Sequence, residues 1–110
     1  MNQDNQVKED RRVFERFPVA LPVRLIDLDA EKELDANTCD ISAKGVGIVS
    51  QEYLKTGNRL ELWLNIKDGR EPFYTKGTVM WAGEQEAGKY RAGISLERAE
   101  LMGMARIFRS

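Results

Sequence analysis

The chain has 110 residues, of which 42% are hydrophobic, and its formal net charge is −1. This length suits one domain with a small core, and so balanced a charge provides no field to hold a long polyanion such as DNA or RNA. The sequence contains no histidine and one cysteine, Cys39. This excludes histidine-containing zinc sites, Ser-His-Asp triads, Cys-His pairs and an intramolecular disulfide.

Residues 1–10 indicate where in the cell the protein is expected and where its folded domain begins. Residues 1–10 are polar and lack the apolar segment of a signal peptide, and no apolar run approaches the roughly 18 residues of a membrane span. We therefore expect a cytoplasmic protein without membrane insertion, which agrees with the single cysteine. We interpret residues 1–10 as a disordered tail.

Residues 11–18 form an arginine-rich arm before the first predicted strand. Arg11, Arg12 and Arg16 alternate with apolar residues, and Pro18 would end any helix near Phe17. Phe14 and Phe17 could attach the arm to the domain and leave the arginines free. The competing interpretation is a solvated charged segment.

Six short stretches have the composition or the alternation of β-strands, namely residues 19–26, 33–41, 46–49, 59–66, 73–81 and 89–96. Pro22 would place the first strand at a sheet edge, because proline cannot donate to a central ladder. An Asp-Gly pair at 68–69 indicates a hairpin turn, and residues 82–88 are predicted to be a polar loop.

Residues 97–110 are predicted to be helical, since apolar residues recur there at helical spacing, at Leu101, Met104, Ala105 and Phe108. Six short strands and one closing helix predict a mainly β fold, a six-stranded antiparallel β-barrel with a C-terminal α-helix and a flexible N-terminal arm. The expected organisation is one domain over residues 11–110, with the arm at 11–18, the barrel at 19–96 and the helix at 97–110.

A polar and glycine-rich turn interrupts the strands at residues 40–47. Asp40 and Ser42 can bond their own backbone and shape a tight turn, while Gly45 and Gly47 permit positive φ or a close approach to the backbone. In an extended chain Asp40 and Ser42 would share one face, where they could present hydrogen-bonding groups to a planar ligand. Taken alone, the segment is more typical of a hairpin turn.

Together, the pattern Arg12-x-x-x-Arg16 before the first strand and Asp40-x-Ser42-x-x-Gly45 after the second resemble the PilZ domain, a bacterial receptor module for cyclic di-GMP. The stretch 92–96 also resembles the glycine-containing last strand of that family. The resemblance covers about residues 11–108. It implies a six-stranded barrel with an arginine segment over its surface and no enzymatic activity.

Cyclic di-GMP carries two phosphates and two guanines, and arginine can pair with phosphate and with guanine. The resemblance implies five binding residues, Arg12, Arg16, Asp40, Ser42 and Gly45. Trp81 could stack on a guanine or close the barrel end. Arg11 could hold a second, stacked ligand molecule or be a solvated charge.

Three alternatives remain at this point. The first is a PilZ-like adaptor that docks a partner protein and binds no nucleotide, although such members typically lack the motifs present here. The second is a small RNA-binding barrel, against which the sequence pI near 5.5 argues. The third is an enzyme, for which the sequence offers no catalytic set. A receptor would also need an effector protein, whose identity the sequence does not give.

Overall fold

The computed structural model describes residues 16–97 and 105–107, and this part of the chain is almost entirely β-structure. Its seven strands are β1 (Phe17–Pro18), β2 (Pro22–Asp27), β3 (Lys32–Ile41), β4 (Gly45–Ser50), β5 (Arg59–Leu64), β6 (Phe73–Glu86) and β7 (Lys89–Leu96). Residues 105–107 are helical and fall within the predicted C-terminal helix. The remainder of that helix, the tail 1–10 and the first part of the arm, with Arg11 and Arg12, lie outside the described residues.

Strands β2 to β7 close into a six-stranded antiparallel barrel. Their order is β3-β2-β5-β6-β7-β4, and β4 pairs back onto β3. The short β1 pairs antiparallel with the end of β3, with Phe17 opposite Ile41 and Pro18 opposite Asp40. The predicted fold class is confirmed, and β1 holds the end of the arginine arm beside Asp40.

The core follows from strand alternation. In β5 the side chains of Leu60, Leu62 and Leu64 are buried, while Arg59, the first residue of the strand, is exposed. Leucine, isoleucine and valine side chains from β2, β4 and β7 meet them inside the barrel. Each such side chain contributes about 1.5–3 kcal/mol when it is fully buried, so the inward faces hold the barrel together and the outward faces remain available for binding.

Two predicted features of the strands are wrong. Strand β2 is not an edge strand, because it lies between β3 and β5. Pro22 is tolerated there as the first residue of the strand, where a missing N–H disturbs the ladder least. Residues 82–88 are also not a loop, since β6 continues to Glu86 and the turn needs only two residues, ending at Gly88 with φ +75°.

Bulges in β3 and β6 change which face the following residues occupy. In β3 the pairing passes from Thr38 opposite Ile48 to Asp40 opposite Gly47, which leaves Cys39 as an extra residue. In β6 the residue left over in the same way is Met80. An extra residue reverses the alternation of a strand, so Asp40 and Trp81 both point away from the core.

The helical residues 105–107 are attached to the connection between β5 and β6. Arg106 donates to both carboxylate oxygens of Asp68, at 2.8 and 3.0 Å, and to the backbone carbonyl of Glu71 at 2.8 Å. The hydrogen bonds from Arg106 lower the pKa of Asp68 from 3.8 to about 2. Within residues 16–97 and 105–107, no helix has the length and apolar character needed to cross a membrane.

Candidate functional site

Ser42 builds the turn between β3 and β4. Its hydroxyl accepts hydrogen bonds from the backbone N–H groups of Gly45 at 3.1 Å and Lys44 at 3.3 Å, and it donates to the carbonyl of Gly45 at 3.3 Å. The side chain is buried. The hydroxyl is therefore committed to the turn, as the local sequence favours, and any contact of Ser42 with a ligand remains a prediction.

Asp40 and Arg16 form an ion pair on the outer surface next to this turn. Arg16 Nη1 donates to Asp40 Oδ1 at 2.7 Å, and the two side chains are 45% and 25% exposed. Strand β1 positions Arg16 for this contact, because its residues pair with the end of β3. Two of the predicted site residues, 24 positions apart in the chain, are thus in direct contact.

The absence of a side chain at Gly45 leaves room for the guanidinium of Arg16. A β-carbon at Gly45 would lie 3.1 Å from Arg16 Nη2 and 3.0 Å from the carbonyl oxygen of Ile94. Its backbone φ is not positive, so the glycine is needed for close approach. The Arg16 guanidinium therefore lies close to the backbone at Gly45, which agrees with the close approach that the sequence suggested for this glycine.

Asp40, Gly47, Gly93 and Trp81 form one row across four neighbouring strands. Gly47 of β4 pairs with Asp40 of β3 and with Gly93 of β7, and Gly93 pairs with Trp81 of β6. A β-carbon would come within 2.6 Å of Asp40 Oδ1 at Gly47 and within 2.1 Å of Trp81 Nε1 at Gly93. A carboxylate and an indole consequently lie against a floor of backbone.

Trp81 lies on the outer surface of the barrel and does not close its end. The bulge at Met80 turns the indole outward, and 47% of Trp81 remains exposed. The neighbouring Met80 is 59% exposed. Large exposed apolar side chains at a bulge are typical of a binding surface.

Arg16 and Trp81 face each other across a cleft of about 290 Å³. The other residues that line it include Ser42, Lys44, Gly45, Gly93 and Ser95. Asp40 does not line the cleft, but it pairs with Arg16, which does. The cleft thus combines cationic groups with an aromatic ring, and the Asp40 carboxylate lies behind the arginine.

Arg91 of β7 is a second arginine at Asp40 and was not predicted from the sequence. Its Nη2 donates to Cys39 Sγ at 3.3 Å and lies 3.9 Å from Asp40 Oδ2. Arg91 belongs to no motif, and it reaches Asp40 only because β4 lies between β3 and β7. The barrel closure that brings them together could be predicted, but the pairing register could not.

A larger surface hollow of about 560 Å³ lies across β2, β3 and β5 and contains none of the predicted site residues. Trp63 lines it and packs against Tyr74, with ring centroids 5.1 Å apart. Arg24 and Glu33 in this hollow pair with each other at 2.9 Å. We therefore assign the candidate site to the cleft at Arg16 and Trp81, on the opposite side of the barrel.

The described residues contain no group of three or more cysteine, aspartate or glutamate side chains placed to hold a metal ion. The cleft offers instead a cation, an aromatic face and, once Arg16 moves aside, a carboxylate. Cations attract phosphate, aromatic rings stack on bases, and a carboxylate can accept from a base that presents neighbouring N–H groups. This set suits a nucleotide containing guanine.

The PilZ domain model matches residues 10–108 of this chain. Comparison with curated proteins gives no match. Three solved structures share the fold at low sequence identity. They are the Bacillus subtilis inhibitor of motility MotI/DgrA (17% identity, TM-score 0.68), the PilZ domain of CeSA from a cellulose-synthesizing bacterium (18%, 0.63) and the PilZ domain of Escherichia coli YcgR with cyclic di-GMP (15%, 0.68).

These similarities cover most of this chain but different shares of the other proteins. They extend over 90%, 86% and 90% of this chain, and over 48%, 92% and 87% of MotI/DgrA, CeSA and YcgR, respectively. The chain thus spans about half of the MotI/DgrA chain and nearly all of the other two. At these identities the structures establish a common fold.

Proposed function

This chain belongs to the PilZ domain family, and we propose that it is a cytoplasmic receptor for cyclic di-GMP and has no enzymatic activity. The observation that carries the proposal is the contact between the two motifs, in which Arg16 pairs with Asp40 at 2.7 Å over the glycine of the second motif. The YcgR structure, which contains cyclic di-GMP, supports the choice of ligand.

We assign the phosphates of the ligand to the arginine arm. Arg16 lines the cleft, and its planar guanidinium can donate two parallel hydrogen bonds to a phosphate. By family resemblance Arg12 is the second phosphate ligand, and Arg11 would hold a second nucleotide stacked on the first.

We assign the guanine to Asp40 and Trp81. The carboxylate can accept hydrogen bonds from guanine N1–H and N2–H₂, and the exposed indole can stack on the base, a contact worth about 1–3 kcal/mol. Adenine lacks the N2 amino group and has an amino donor in place of O6. Asp40 is therefore the residue expected to discriminate between the two bases.

The relay to a partner is proposed to act through the arm. Arg16 is followed immediately by β1, so a phosphate that draws the Arg16 guanidinium away from Asp40 would also reposition the chain before it. The arm in its new position, or the surface that it leaves, would then be recognised by an effector protein.

Isothermal titration of the purified protein with cyclic di-GMP and cyclic di-AMP tests the proposal. We expect the first to bind more tightly by about 1–3 kcal/mol for each guanine contact, with two ligands per chain if Arg11 holds a stacked pair. Asp40→Asn should remove most of the discrimination, while Glu33→Gln, on the opposite side of the barrel, should not. Absence of binding by the wild type would favour the adaptor alternative, and equal affinities would contradict the role of Asp40.

A further inference from the structure

Arg91 lies beside the Asp40 carboxylate with hydrogen-bonding capacity to spare. Its Nη2 is 3.9 Å from Asp40 Oδ2, which is too long for a hydrogen bond, and it donates to Cys39 Sγ, a weak acceptor. Its Nε is buried and has no hydrogen-bond partner among the described residues. An arginine with an unsatisfied donor thus faces a carboxylate across a short gap.

The opposite side of Asp40 is occupied by Arg16. That contact is short, 2.7 Å between Nη1 and Oδ1, and Arg16 lines the cleft whereas Asp40 does not. A ligand phosphate in the cleft would compete with Asp40 for the Arg16 guanidinium, because it offers a second anion for charge-assisted hydrogen bonds. Asp40, which is only 25% exposed, would then lose its hydrogen-bonded counter-ion and keep only the more distant Arg91, and a weakly paired, partly buried charge is costly.

We propose that Arg91 is a positioning residue, which takes over the Asp40 carboxylate when Arg16 turns to a ligand phosphate. The inference rests on the proposed function and adds to it a residue outside both motifs. A movement of about 1 Å would bring Oδ2 from its present distance into the range of a charge-assisted hydrogen bond. Gly47 beneath the carboxylate has no side chain to obstruct this movement.

The exchange leaves Asp40 able to hold a guanine. Each carboxylate oxygen has two acceptor positions, so Oδ2 can accept from Arg91 and from the base at once. Arg91 would fix the plane of the carboxylate, while the guanine N–H groups approach from the cleft. Arg91 acts through Asp40 in this arrangement, because Arg91 is not among the residues that line the cleft.

The test measures cyclic di-GMP affinity of the wild type, Arg91→Gln and Arg91→Lys by isothermal titration, with Arg70→Gln as a control. Arg70 is an exposed arginine of the β5–β6 connection, so the control makes the same change of charge elsewhere. The Arg91→Gln variant should bind cyclic di-GMP about tenfold to a hundredfold more weakly than the wild type, because it loses a charged hydrogen bond. Arg91→Lys should give a smaller loss, and the control should bind like the wild type.

A double-mutant cycle distinguishes an effect of Arg91 that acts through Asp40 from a general effect on ligand binding. In an Asp40→Asn background, Arg91→Gln should lower the affinity for cyclic di-GMP by less than about twofold, because the carboxylate that Arg91 positions is absent. An equal loss in both backgrounds, or wild-type affinity of Arg91→Gln, would overturn the role of Arg91 and leave the proposed receptor function intact. If the wild type does not bind, the receptor function itself fails. Should Arg91→Gln not fold, the cycle with Arg91→Lys decides by the same criterion.

Discussion

Gly47 and Gly93 are required by what lies on top of them. Neither has the positive φ found at Gly57, Gly69 and Gly88. Instead, the Asp40 carboxylate occupies the space of a side chain at Gly47, and the Trp81 indole does so at Gly93. The two glycines therefore determine how closely Asp40 and Trp81, two of the proposed ligand-binding residues, can approach the barrel.

Alanine at each glycine should displace one of these groups separately. Gly47→Ala should move Asp40 and reduce the preference for cyclic di-GMP over cyclic di-AMP. Gly93→Ala should move Trp81 and weaken the binding of both nucleotides by about 1–3 kcal/mol, since stacking does not depend on the identity of the base. Titration of both variants with both nucleotides is the measurement.

Gly83→Ala is the matched control for these variants. Gly83 lies on the same strand as Trp81, and an added β-carbon there has no neighbour within 4 Å. Its affinities should equal those of the wild type. If Gly93→Ala retained full affinity with an unchanged melting temperature, Trp81 would not be a stacking residue.

Individual site residues could be predicted where a motif marks them, but not where their position depends on the register of strand pairing. Arg16, Asp40 and Gly45 were assigned from the motifs and do meet in the structure. Strict alternation would turn Trp81 toward the core, because nothing in the local sequence marks Met80 as an extra residue. Arg91 was missed for a related reason, since its contact depends on the pairing of three strands.

The Arg106–Asp68 ion pair helps to attach the helical residues 105–107 to the barrel, together with the packing of Ile107 against the core. Arg106 and Asp68 are 19% and 15% exposed, so the pair is shielded from solvent more than the other ion pairs of the described residues. Because the pKa of Asp68 falls from 3.8 to about 2 on folding, its carboxylate stabilises the fold above pH 4. This contribution is lost as the pH falls through about 2.

Asp68→Asn should therefore lower the free energy of unfolding at neutral pH and make less difference as the pH approaches 2. The measurement is urea unfolding of the wild type and the variant between pH 7 and pH 2. Glu33→Gln, which breaks the exposed pair with Arg24, should have little effect, because exposed ion pairs contribute little. A difference between wild type and Asp68→Asn that did not change with pH would show that the carboxylate charge is irrelevant.

At the level of elements, the sequence predicts the strands well and their ends less well. All six predicted barrel strands are present, because alternation reports burial directly. The hairpin of β6 and β7 is longer than predicted, since a polar, glycine-containing sequence can pair as a ribbon outside the core without burying apolar side chains. The edge position of β2 was wrong because proline at the first position of a strand needs no edge.

The whole molecule restricts where a signal could arise. Every strand of the barrel is paired on both sides, so we expect a ligand on its outer face to leave it closed, and the closed barrel also leaves few edges for aggregation. A relay through the barrel would have to break one of these pairings. This agrees with a relay through the arm and not through the barrel.

Hydrogen exchange of the intact protein tests this relay. With cyclic di-GMP bound, amide exchange should slow over residues 11–17, because charge-assisted contacts offset the ordering cost of roughly 1–2 kcal/mol per residue. Exchange in β2 and β5, on the opposite side of the barrel, should change little. Equal protection of residues 11–17 with and without ligand would mean that the arm is a fixed wall and carries no signal.

The bulges at Cys39 and Met80 make this site depend on the number of residues as well as on their identity. Replacing Met80 by another residue would leave the extra position in place, whereas deleting it would restore simple alternation and turn Trp81 toward the core. Deleting Cys39 would do the same to Asp40 and bring a carboxylate inward. In an alignment of related sequences, a one-residue gap at either position would therefore indicate loss of the site even where Asp40 and Trp81 are both retained.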